Sequence, residues 1–126
     1  MIRKVIPLAI AITMMLTAAV LFAQDKTVTL NGYLVDNMCA ASKATDPKFA
    51  DWVKTHPTSC ALMESCEKGG YAVFADKKIY KLDDAGNASA EDVLKNTKST
   101  KGVRVKVEGT VDGDTIKVTK LTEVTE

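Results

Sequence analysis

The chain carries almost no net charge: 17 Lys and Arg stand against 16 Asp and Glu, a formal +1. Without a basic excess nothing drives it toward phosphate backbones, so composition gives nucleic-acid binding no support. A Gly-rich phosphate loop, a nucleophile elbow and a two-carboxylate arrangement are all missing, which leaves the common nucleotide and hydrolase chemistries without their residues. Internal repeats and low-complexity tracts are missing as well. Histidine occurs once and cysteine three times, so whatever chemistry the chain has is concentrated in few side chains.

One long apolar run is present. Arg3 and Lys4 open the chain, residues 5–22 are apolar apart from Thr13 and Thr17, and Ala23-Gln24-Asp25-Lys26 follows. A basic start, an apolar middle and a short polar exit form the layout of a secretory signal. Residues 1–23 are therefore expected to be a signal peptide cut after Ala23, with Ala19 as the fallback position. A retained anchor is the alternative, because 18 residues approach the span of about 20 that a membrane helix needs. Membrane contact is expected only through this segment if it is uncut. On either reading the remainder lies outside the cytoplasm, periplasmic or secreted. Setting aside Arg3 and Lys4 leaves 15 basic against 16 acidic side chains, so the exported part is close to neutral and slightly acidic.

Residues 24–126 make one domain's worth of chain. Thr27 to Asp36 is rich in β-branched and aromatic residues and reads as a first strand. The pattern then changes across residues 37–69. Asp46-Pro47 suggests a capped helix start, with Phe49, Trp52 and Val53 on one face until Pro57 ends it. A second helix is expected from Thr58 or Ser59 to Gly69-Gly70, carrying Leu62 and Met63 inward. Residues 71–75 and 78–82 read as strands about a turn at Asp76-Lys77. Ser89 and Asp92 resemble a capping box, and Asp83-Asp84 reads as a solvated loop. Val103, Val105, Val107 and Val111 alternate with polar residues, Asp112-Gly113 signals a hairpin, and residues 115–118 alternate back. Five strands with a helix between the third and fourth is the order of an OB-type small barrel. The expected fold is mainly β, a five-stranded OB-like barrel with a helical Cys/His-containing insert after the first strand.

The insert holds every chemically distinctive residue: Cys39, His56, Cys60 and Cys66. Three thiols and an imidazole match the ligand types of a zinc site, and the same soft set would suit copper. If residues 60–66 form one regular helix, however, Cys60 and Cys66 point about 120° apart and about 9 Å along it, too far for a shared ion or a mutual disulfide. Cys39 is then expected to pair with Cys60 or Cys66, as an oxidising compartment favours. Cys60 is the more interesting remainder, since it lies in the first turn of a helix near His56. Trp52 and Phe49 read as core, as do Met38 and Met63, although their thioethers would also suit copper(I).

Gly32-Tyr33-Leu34-Val35-Asp36-x-x-Cys39-Ala40, His56-x-x-x-Cys60-Ala61-Leu62-Met63-x-x-Cys66 and Gly70-Tyr71-Ala72-Val73 together resemble a group of small exported bacterial proteins of unassigned function. The likeness extends weakly through Val105-x-Val107-x-Gly109-Thr110-Val111. It implies a recognisable OB-like domain and no particular activity. The first expectation is an exported binding or structural module, not an enzyme, stapled by a disulfide and meeting an envelope protein or small ligand. The second is a zinc or copper protein using Cys39, His56, Cys60 and Cys66. Thiol redox chemistry at Cys60 is the third, and the sequence offers no separate acid or base to support it.

Overall fold

The computed structural model describes residues 27–125. The expected signal segment, residues 1–23, lies outside the described residues. Within them, no helix is long and apolar enough to cross a membrane.

Five strands close into a barrel: β1 (Thr27–Asp36), β2 (Tyr71–Ala75), β3 (Lys78–Leu82), β4 (Arg104–Asp112) and β5 (Thr115–Glu123), in the order β1-β2-β3-β5-β4 with β4 returning to β1. All pairings are antiparallel except β3 with β5, where Lys81 meets Thr115. This is the OB-like arrangement that the strand order implies.

Local chemistry explains the hairpins. Asp76 and Lys77 both have positive φ, 50° and 62°, as a type I′ turn requires, and that turn twists with its flanking strands. Gly113, at φ 63°, supplies the second tight reversal. β4 points Val105 and Val107 inward, fully buried, between exposed or half-buried Arg104, Lys106 and Glu108. The barrel interior is filled by Leu30, Leu34, Tyr71, Val73, Val105, Val107, Ile116 and neighbours.

A helix α5 (Asp84–Asn96) packs its Gly86, Ala90 and Leu94 face against the barrel. It begins five residues before the capping box expected at Ser89. Its N-cap is Asp83, whose Oδ1 accepts from the Gly86 amide and also from the Val118 amide of β5. Asp83 is therefore a joint between helix and barrel and not a solvated loop residue.

The insert comprises α1 (Asn37–Lys43), α2 (Phe49–Trp52), α3 (Thr58–Ala61) and α4 (Glu64–Gly69). It covers the outer face of the β1–β2 pair. Val35 and Ala72, which alternation turns away from the barrel interior, pack with Ala40, Phe49 and Val53 into a second buried cluster, with Trp52 and Phe74 at its edge. This is why Leu34, Val35 and Asp36 are buried in succession: with both faces covered, a strand has no solvent side.

Two expectations for the insert need correction, and one segment gains an assignment. The helix expected from Thr58 to Gly69 is two helices, because Met63 is extended (ψ 143°) and restarts the chain as α4. The segment after Asp36, left without an assignment by its pattern, is a helix. Met63 and Met38 are not core: they are 57% and 54% exposed. Leu62 alone of the pair Leu62-Met63 packs inward.

Candidate functional site

Asp36 ends β1 and caps α1. Its backbone is extended and its Oδ2 accepts from the Cys39 amide at 2.9 Å, the standard N-cap bond from a carboxylate to the third residue on. The carboxylate is wholly buried, and its Oδ1 meets His56 Nε2 at 2.7 Å, with His56 itself 5% exposed. His56 comes from the turn between α2 and α3. Its carbonyl accepts from the Gly102 amide, and the Thr58 amide donates to Thr100 just beyond, so the turn is fastened to the segment entering β4. The Trp52 ring lies 4.7 Å from the imidazole, centroid to centroid.

Two thiols complete the group. One carboxylate oxygen of Asp36, Cys39 Sγ and Cys66 Sγ all lie within 4.8 Å of one another. The break between α3 and α4 makes this possible, since α4 is free to run beside α1. The Asn37 amide donates to Gly70 O at 2.9 Å, and Asn37 Nδ2 donates to Gly69 O at 3.0 Å. These two bonds tie the start of α1 to the end of α4 and hold Cys39 against Cys66. Cys66 is buried, Cys39 partly so, and all three cysteines are unpaired.

The electrostatics follow from this packing. Burial pushes the Asp36 carboxyl up, but hydrogen bonds from His56, the Cys39 amide and the Cys39 thiol outweigh it and hold the group at about 2. An ionised carboxylate only accepts, so His56 Nε2 carries the proton between them. Burial, then the hydrogen bond to the Asp36 carboxylate, raises the Cys39 thiol to about 12. Burial and the Asp36 charge raise Cys66 as well. At neutral pH the group is therefore a carboxylate with two protonated thiols beside it.

Among the four residues singled out in the sequence, Cys39 and Cys66 meet directly and His56 is joined to them through Asp36. Cys60, half-buried in α3, is outside the three-residue group. Asp36 is the central member; the sequence places it at the end of the first strand and in the motif with Cys39, but gives it no ligand role. The available signal was its position: an Asp closing a strand three residues before a cysteine is an N-cap pattern, and that cap aims the carboxylate at the cysteine.

Comparison with known proteins brings no match: no family model, no curated protein and no solved structure is similar to the chain.

Proposed function

We propose that this chain is an exported binding module in which the barrel is the scaffold and the insert is the contact face. The observation that carries the reading is the distribution of exposed apolar side chains. Among the described residues, the large hydrophobics that stand exposed are Met38 and Met63. Both belong to the insert, Met38 in α1 and Met63 at the start of α4, two helices that pack together. Methionine is flexible and polarisable and suits surfaces that adapt to a partner, here an envelope protein. The raised Cys39 and Cys66 thiols speak against either of these two as a nucleophile, because the thiolate is the reactive form and this pocket disfavours it.

Photo-crosslinking tests the contact face. With a photoreactive residue at position 38 or 63, cells that export the full chain should yield adducts of discrete mass. The same residue at exposed Lys117 or Lys120 on β5 should yield none. Absence of adducts from 38 and 63, or equal yields from the β5 positions, would overturn the reading.

The insert is held in place, on this reading, by a Cys39–Cys66 disulfide made after export. The proximity of the two sulfurs supports this pairing over Cys39–Cys60. A disulfide carrier of the envelope accepts the two electrons and two protons as the bond forms. Closing 28 residues in this way stabilises the domain by about 3–4 kcal/mol on the chain-entropy relation. Alkylation of denatured, unreduced protein should label Cys60 alone, and labelling of all three cysteines would rule the staple out.

A further inference from the structure

We infer that Asp36, Cys39 and Cys66, in the dithiol form of the pair, bind a divalent borderline-soft transition-metal ion, zinc foremost. The inference is independent of the contact face proposed above but alternative to its disulfide, since the same two thiols serve either the staple or, beside the Asp36 carboxylate, the ion.

The ligand types and the spacing both fit. Zinc takes thiolate sulfur at about 2.3 Å and carboxylate oxygen at about 2.0–2.2 Å in a tetrahedron. Ligand atoms around such an ion are then roughly 3.5–3.8 Å apart. Here the three atoms lie within 4.8 Å of one another, so closure needs movements of about 1 Å, which cysteine side-chain torsions supply. The set is drawn from three elements that are already fixed together: the end of β1, α1 and α4.

Asp36 is also supported as metal-bound carboxylates usually are. Its Oδ1 accepts from His56 Nε2 and its Oδ2 from the Cys39 amide, and each oxygen keeps a second lone pair. Partners behind a ligand orient it and are typically worth 10–100-fold in affinity. His56 is therefore a positioning residue and not a ligand, which reassigns the one imidazole of the chain. Cys60 has no part in the site. Asp36 and Cys66 are buried while Cys39 is partly exposed, so the ion is reached from the Cys39 side. Three protein ligands leave the fourth tetrahedral position there for water or an incoming donor.

The test uses the full exported chain, reduced and then titrated with Zn²⁺ and with Co²⁺ in metal-free buffer. One equivalent should bind with release of the two thiol protons, and Co²⁺ should show the intense visible bands of a tetrahedral thiolate site. Cys39→Ser and Cys66→Ser should lose more than about 100-fold in affinity, Cys60→Ser should match the parent, and His56→Gln should lose about 10–100-fold. Far-UV circular dichroism establishes that each variant is folded. Because Asp36→Asn is expected to lower stability, the cysteine variants decide the outcome. Failure of the reduced chain to take up metal, or uptake that depends on Cys60 and not on Cys39, would overturn the site. Loss of uptake with crosslinking at 38 and 63 intact would leave the contact face standing, and the reverse result would leave the metal site standing.

Discussion

Replacing Asp36 with alanine should destabilise the domain by about 3–5 kcal/mol, the cost of breaking a buried ion pair or charged hydrogen bond by removing one partner. Asp36 is fully buried and accepts from His56 Nε2 and the Cys39 amide. Its loss strands the imidazole proton and the Cys39 amide in the first turn of α1 in one step. Small domains have about 5–15 kcal/mol in total, so the variant should sit near the edge of folding. His56→Ala should cost a similar amount by leaving the carboxylate buried without its donor. Since both single changes remove one shared interaction, the double variant should be less destabilised than their sum. Urea unfolding of the four proteins checks this, and simple additivity would show that the pair is not coupled.

The same pair sets an acid limit. The Asp36 carboxyl falls from an ordinary 3.8 to about 2 on folding, so the folded state binds its proton more weakly than the unfolded state does. The resulting stabilisation, about 2 kcal/mol, is fully present above about pH 5 and is lost as pH falls toward 2. The Cys39 thiol moves the other way, from 9.0 to about 12. Its contribution is present below about pH 8 and is lost as pH rises from 9 toward 12. Reduced protein should thus weaken at both ends of the scale, whereas the disulfide form should lose only the acid arm. A carboxyl-carbon titration of Asp36 centred near 4 would contradict the pair's geometry.

The second large effect is expected at Gly32. β1 pairs with β4 over residues 27–33 and with β2 over residues 33–36, so Gly32 lies where one strand passes from one partner to the other. A Cβ there would fall 2.1 Å from the Phe74 carbonyl oxygen and 2.8 Å from its carbon. The obstacle is backbone, which cannot rotate aside. Gly32→Ala should therefore cost about 3 kcal/mol, the upper end of ordinary overpacking, and lower the melting temperature by roughly 12–24 °C. Gly113→Ala is the contrast: its surroundings are open but its φ is +63°, so a loss of only about 1 kcal/mol is expected. Equal losses at the two positions would mean that the Phe74 backbone is not what excludes a side chain at Gly32.

These two sites separate what can be read locally from what cannot. The strands were legible because alternation and turn chemistry act between near neighbours. Val103 to Val111 alternate, Asp76-Lys77 and Asp112-Gly113 reverse the chain, and the observed β1, β2 and β3 coincide with the runs marked in the sequence. From five strands and one late helix the OB-like closure followed, since few topologies accept that order. The insert was less legible for a physical reason. Its helices are four to seven residues long, too short to be held by intrinsic propensity, and they persist because Phe49, Val53 and Ala40 bury against Val35 and Ala72.

The residues of the site were visible one by one, but their grouping was not. Cysteine and histidine draw attention by type, so Cys39, His56, Cys60 and Cys66 all stood out, with Cys60 foremost for reactivity. Only the fold distinguishes among them. The break at Met63 turns Cys66 toward Cys39, the stitching of residues 56–58 to residues 99–102 brings His56 to the end of β1, and Cys60 is left aside. Asp36 links them although nothing in its own type marks it out. Sequence alone determined the strands, the turns and the chemical inventory of the insert, because those depend on each residue and its near neighbours. Tertiary structure decided which members of that inventory meet, because burial of a charge and convergence of side chains 20 to 30 positions apart depend on packing that no local pattern encodes.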